Sequence, residues 1–233
     1  MNDFAKQNSR IDAAISEPPD LKTSLAAYIA GRIRAINIQW LGFLPLLFFF
    51  AQAIYYWRNG SLGNMLWMCN IGNLLLAIAL FAGHREMIRA TALWMIPGLV
   101  IWFLYVLIPS GFVLSSALAH AGGFIVGIVA LRAVRVDRRA WLYAFIWYLV
   151  MQAVSRLATS PDLNVNLVYR IQPGLQPMFG SFWQFWLLMT VTVAVGLWAI
   201  GRALNSIWPP NSISGPAPQP ADLGRAGASA KKS

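Results

Sequence analysis

The 233 residues are 58% hydrophobic and only 11% charged, with a formal net charge of +10. A soluble domain carries roughly a quarter charged residues, so this chain lacks the polar surface needed to face water. The positive balance does not mark a nucleic-acid binder, because the arginines flank apolar stretches and no basic face alternates with exposed aromatics.

Residues 1–20 are polar, end in Pro18-Pro19, and read as a flexible N-terminus. They show no short apolar stretch before a small-residue cleavage site, so no cleaved signal is expected. From 21 to 37, Leu25, Ile29, Ile33 and Ile36 recur at helical spacing, with Lys22, Arg32 and Arg34 among them. That pattern fits an amphipathic interfacial helix with basic residues near anionic headgroups. An extension of the first span reads equally well.

Apolar spans follow near 38–57, 62–82, 89–108, 112–132, 140–158 and 180–204. The breaks between the first five are short: Arg58-Asn59-Gly60, Gly83 to Glu86, Pro109-Ser110-Gly111, and Arg135 to Arg139. Short connections force antiparallel neighbours, so the fold class expected is all-α, a polytopic membrane bundle of about six transmembrane helices. Fifteen of the 18 Lys and Arg residues fall on one side of this arrangement. The other side holds Arg58, Arg156 and Arg170. The positive-inside rule then places both termini in the cytoplasm, N-in/C-in, in a bacterial inner membrane. Trp40, Trp57, Trp141, Trp183 and Trp208 fall at span ends, where indole rings favour the headgroup level. The tail 209–233, rich in Pro, Ser, Gly and Ala, reads as disordered.

The longest connection, Thr159 to Gly180, faces outward, and its apolar residues predict that it folds back on the mouth of the bundle.

Polar side chains inside hydrocarbon are costly, and they are the first place to look for chemistry. His120 lies about 15 Å from the outer break at 1.5 Å per residue, and Asn70 lies at similar depth with Asn73 a turn further in. Gln52, Asn64 and Gln152 belong to the outer half, and Arg156 sits near the outer end of its span. The candidate ligand-binding set is therefore Asn70, Asn73, His120, Gln152, Arg156, Asp162, Asn164, Asn166 and Arg170. The alternative is that these groups only tie helices together, as Asn, Gln, Ser and His often do, with Gly123 to Gly127 as a small-residue contact.

His120 is the single weak catalytic candidate. Ser116, four residues earlier, shares its helical face, but the sequence shows no oxyanion hole and no Gly-x-Ser-x-Gly elbow. Its hydroxyl is expected to bond its own backbone. Cys69, the only cysteine, has nothing beside it to lower its pKa, and it excludes an internal disulfide and a thiol-only metal site. The two histidines, His84 and His120, fall at different depths, so no metal site is expected. No cofactor is expected either; the sole arrangement that would admit one is a single macrocycle ligated by His120, whose Ala and Gly flanks leave room for a flat ligand. No buried carboxylate and no repeated halves point to coupled transport.

Residues 64 to 208 resemble an uncharacterised family of bacterial six-span integral membrane proteins. The resemblance is carried by Trp67-Met68-Cys69-Asn70, by Ser116-Ala117-Leu118-Ala119-His120, and by Val136-Asp137-Arg138-Arg139-Ala140. Its most specific piece is Thr159-Ser160-Pro161 followed by Asn164-Val165-Asn166-Leu167-Val168-Tyr169. It implies a fold and no activity. A fainter similarity links the chain to the YwaF and TMEM164 group, which includes an acyltransferase acting on phospholipids; no catalytic residue carries over.

Two functions follow as expectations. One is a membrane protein binding or processing a lipid or isoprenoid-like substrate around His120, with Asn70 and Asn73 orienting it and Arg156 and Arg170 meeting an anionic headgroup. The other is a non-catalytic structural or assembly subunit of a larger membrane complex. Expected partners are membrane lipids and other membrane subunits, with no nucleic acid.

Overall fold

The computed structural model describes residues 38–106 and 113–208. The expected flexible N-terminus, interfacial helix, Pro109 break and tail lie outside the described residues.

Among the described residues the chain is all-helical. Six helices follow in order: α1 (Phe43–Arg58), α2 (Met68–Ala82), α3 (Arg85–Val106), α4 (Leu114–Val134), α5 (Ala140–Ala158) and α6 (Phe182–Ile207). Four helical runs are long and apolar enough to cross a membrane: Ile38–Arg58, Arg85–Leu104, Leu114–Val134 and Phe182–Ile207. The other two depart from that standard for physical reasons. α5 has 19 residues but carries Gln152, Ser155 and Arg156 in its last turns. α2 has only 15 residues, or about 22 Å against a hydrocarbon core of about 30 Å. The stretch expected as one span over 62–82 is a broken element. A 3₁₀ turn, Leu62–Leu66, is separated from α2 by Trp67, whose ψ of 134° is not helical.

α3 is the hub of the bundle and packs against α2, α4, α5 and α6. Its Ile88, Ala92, Leu93 and Met95 are buried against Leu76 and Leu80 of α2, Val126, Ala130 and Leu131 of α4, and Leu197 of α6. Small residues set the closest approach. A side chain at Gly127 would stand 3.4 Å from Ala92, ordinary contact for helices packed backbone to backbone. The large apolar residues on outer faces, among them Leu47, Phe103, Ile125 and Leu187, stay exposed, as a lipid-facing surface requires.

The arginine-rich end of the bundle is built to close helix ends. α2 stops at Gly83, whose φ of 65° is the left-handed geometry that glycine adopts without strain. Arg89 reaches from α3 to the end of α4, where its guanidinium donates to the carbonyls of Val134 (3.0 Å) and Arg135 (2.6 Å) and pairs with Glu86. A cation at a helix C-terminus meets both the unpaired carbonyls and the negative end of the dipole. At the same end, Arg132 lies 5.9 Å from the centre of the Trp208 ring.

The connection from α5 to α6 is ordered by two further 3₁₀ turns, Val165–Leu167 and Gln176–Met178. It folds back on the bundle: Val165 and Val168 are buried, and Leu163 packs on Gly63. Met178, another apolar residue of the loop, is exposed.

Candidate functional site

The break before α2 creates the first demand on the site. Where the chain leaves the 3₁₀ turn and restarts as α-helix, a carbonyl and the first N–H groups lose their helical partners. Buried polar backbone without partners is costly, so another segment must supply them. Asn166 does. Its Oδ1 accepts from the Met68 N–H at 3.0 Å, and its Nδ2 donates to the Leu66 carbonyl at 2.9 Å and to Ser155 Oγ at 2.8 Å. The Asn166 carbonyl accepts from Gln152 Nε2 at 2.9 Å, and Gln152 Oε1 takes the Trp186 indole N–H at 3.3 Å. One carboxamide thus joins the α2 break, α5 and the loop, while Gln152 adds α6.

The loop is wound about a second asparagine. Asn164 Oδ1 accepts from the backbone N–H groups of Tyr169 and Arg170, and its Nδ2 donates to the Arg170 carbonyl. Arg156 donates to the Val168 carbonyl at 2.6 Å and lies 5.5 Å from the centre of the Tyr169 ring. Arg170 donates to the backbone carbonyl of Asp162 at 2.8 Å, and the Asp162 side chain is exposed. Asn164, Asn166 and Leu167 have φ of 44°, 51° and 59°. Asparagine tolerates this region through local hydrogen bonds; a leucine there is strained and must be held by its surroundings.

The second cluster is interior. Asn70 Nδ2 donates to the Asn64 carbonyl at 3.0 Å, and Asn73 Nδ2 donates to the carbonyls of Cys69 (2.9 Å) and Ala119 (2.8 Å). These donations fix both amide orientations and leave Asn70 Oδ1 and Asn73 Oδ1 buried without a donor, as is Gln52 Oε1 on α1. The Tyr56 hydroxyl lies beside Gln52 and Asn70, but one phenolic proton cannot serve both oxygens.

Across from them, α4 widens into a π-helical turn at Leu118–Gly122 with His120 at its centre. Such turns loosen the regular backbone pairing and recur at functional sites. His120 Nδ1 stands 2.8 Å from the Ser116 carbonyl. A carbonyl only accepts, so in the neutral ring Nδ1 carries the proton and Nε2 is an acceptor. Trp102 of α3 stacks on the ring at 5.5 Å and 14°, and its indole N–H donates to Ser116 Oγ at 3.0 Å. The Ser116 hydroxyl is thus engaged across helices, with His120 Nδ1 a longer 3.5 Å away.

The nine residues singled out from sequence therefore fall into two groups. Gln152, Arg156, Asp162, Asn164, Asn166 and Arg170 surround the loop clamp, whereas Asn70, Asn73 and His120 belong to the interior cluster. Sequence reasoning missed the part of Tyr56 and Trp102 and the partner of Ser116. It also missed the widened turn, for which the tandem Gly122-Gly123 was the one available hint. Among the described residues no three His, Cys, Asp or Glu side chains gather as metal ligands.

Among the described residues the fold is thus an all-α bundle with four helices long and apolar enough to cross a membrane. No protein-family model, curated protein or solved structure matches the chain.

Proposed function

We propose that this is a six-span protein of the bacterial cytoplasmic membrane, with both termini cytoplasmic, that binds an amphipathic lipid or isoprenoid-like ligand through the interior cluster. The observation that carries the reading is the set of buried acceptors on facing helices. Gln52, Asn70 and Asn73 hold three buried amide oxygens, of which the Tyr56 hydroxyl can serve one at most, and His120 offers Nε2 from a widened turn. Buried acceptors left unmatched cost about 1 to 3 kcal/mol each, so a ligand carrying hydroxyl or amine donors would bind there with a gain. Arg156 and Arg170 belong to the loop clamp, where each donates to a loop carbonyl, and the interior cluster itself presents acceptors, which favours a donor-bearing ligand over an anionic one there. Kinship with bacterial six-span membrane proteins is part of the same proposal and rests on the sequence resemblance alone.

Native mass spectrometry of the protein in gentle detergent tests it. The wild type should retain a discrete small molecule that His120→Ala and Asn70→Ala lose while remaining folded. Retention of the same molecule by both variants would sink the reading.

One observation favours a second reading, a non-catalytic subunit of a membrane complex. Trp183, Leu187, Val191, Val195 and Trp198 form a continuous exposed stripe on α6. Stoichiometric co-purification of partner subunits, lost on changing Leu187 and Val191 to alanine, would support it.

A further inference from the structure

At the loop end of the bundle, a groove of about 460 Å³ runs between the end of α1 and the start of α4. Its lining includes Ala51, Ile54, Tyr55, Arg58, Leu114 and Ser115. The groove is separate from the interior cluster although the two adjoin in sequence. Ala51 and Ser115 line it, while Gln52 is buried inside and Ser116 is bonded to Trp102.

Three features give the groove its chemistry. Its deeper wall, one turn into the helix, is apolar through Ala51 and Ile54. Its mouth holds the Arg58 guanidinium beside Asn59, level with the exposed Trp57, a residue type that marks the headgroup zone. Third, Arg58 differs from the other two arginines of this end. Arg156 and Arg170 donate to carbonyls of the loop, whereas among the described residues the Arg58 side chain donates to no carbonyl and pairs with no carboxylate. On the α4 side of the groove, the Ser115 hydroxyl adds a buried polar atom without a partner.

We propose that this groove binds an anionic glycerophospholipid. The phosphate engages the Arg58 guanidinium, a fork suited to phosphate oxygens. The Ser115 hydroxyl supplies a neutral hydrogen bond, as does the second N–H of the Asn59 amide, whose first donates to the Tyr55 carbonyl at 2.7 Å, and one acyl chain lies along Ala51, Ile54 and Leu114. The site goes beyond the ligand proposed for the His120 cluster and requires only that α1 and α4 cross the membrane.

The test uses the full chain in nanodiscs of equal phosphatidylglycerol and phosphatidylcholine, with bound lipid read by native mass spectrometry. The wild type should be enriched in phosphatidylglycerol, and Arg58→Gln should lower that enrichment about fivefold, the effect of one basic side chain near a headgroup. Ile54→Trp, which fills the groove from an exposed position and leaves Arg58 in place, should reduce the bound anionic lipid as well. Wild-type enrichment in either variant, or a wild type showing no enrichment, would overturn the proposal. Because Arg58→Gln leaves the His120 cluster intact, a ligand held there should survive it, so the two proposals fail separately.

Discussion

The Asn166 side chain accepts a hydrogen bond from the Met68 backbone N–H across 98 positions of sequence, at 3.0 Å. It serves as a helix cap supplied by a distant loop. A local capping residue holds one helix; this one holds a helix, a 3₁₀ turn and α5 at once.

Replacing Asn166 with glycine keeps the left-handed backbone available and removes only the carboxamide. The Met68 N–H and Leu66 carbonyl then lose their partner, and the bundle should be destabilised by about 2 to 4 kcal/mol. Asn166→Asp should be no better, because a carboxylate cannot donate to Leu66 or Ser155. Unfolding in mixed detergent micelles measures both. A stability within error of wild type for the glycine variant would show that the clamp contributes nothing.

Gly123 faces Asn73 so closely that a Cβ there would stand 2.6 Å from Asn73 Oδ1. Gly123→Ala should therefore destabilise the α2–α4 contact by about 1 to 3 kcal/mol through overpacking. In an Asn73→Ala background the same change should turn neutral or stabilising, since alanine is the better helix former. A double-mutant cycle reads the sign change, and strict additivity would refute the contact.

Arg89 serves two carbonyls at the end of α4. Arg89→Ala should lower stability by about 1 to 3 kcal/mol, and Arg89→Lys should recover only part of it, because an ammonium lacks the planar fork. Equal stability of the lysine variant and wild type would contradict this account.

The proposed topology predicts which sites an impermeant thiol reagent reaches in whole cells. In a Cys69→Ala background, cysteines at the exposed positions Asn59 and Asp162 should be labelled from outside. One at exposed Arg138 should react only after the membrane is opened. Labelling at 138 in sealed cells would reverse the orientation.

Much of the fold was legible because hydrophobic blocks and short polar breaks announce helices directly. The arginines of the 135–139 break and the tandem Trp57-Arg58 marked helix ends before any coordinates. The break at Trp67 was not legible: Leu62 to Ala82 has no proline and no charge to mark an interruption, and the break is stabilised by Asn166, far along the chain. His120, Asn70 and Asn73 stood out because polar groups in hydrocarbon are rare. Their partners are mostly backbone carbonyls, at Ser116, Asn64, Cys69 and Ala119, and a carbonyl leaves no trace in residue identity. The loop residues were visible as a polar cluster, yet only the structure shows Asn164 and Asn166 turned onto the protein's own backbone.

The clamp on α2 also sets a timetable for biogenesis. A ribosome makes Met68 well before it makes Asn166, 98 positions later. During that interval the α2 break carries polar backbone that its eventual partner has not yet reached. Final closure waits for α5 and the following loop, because Ser155, Gln152 and Asn166 lie there.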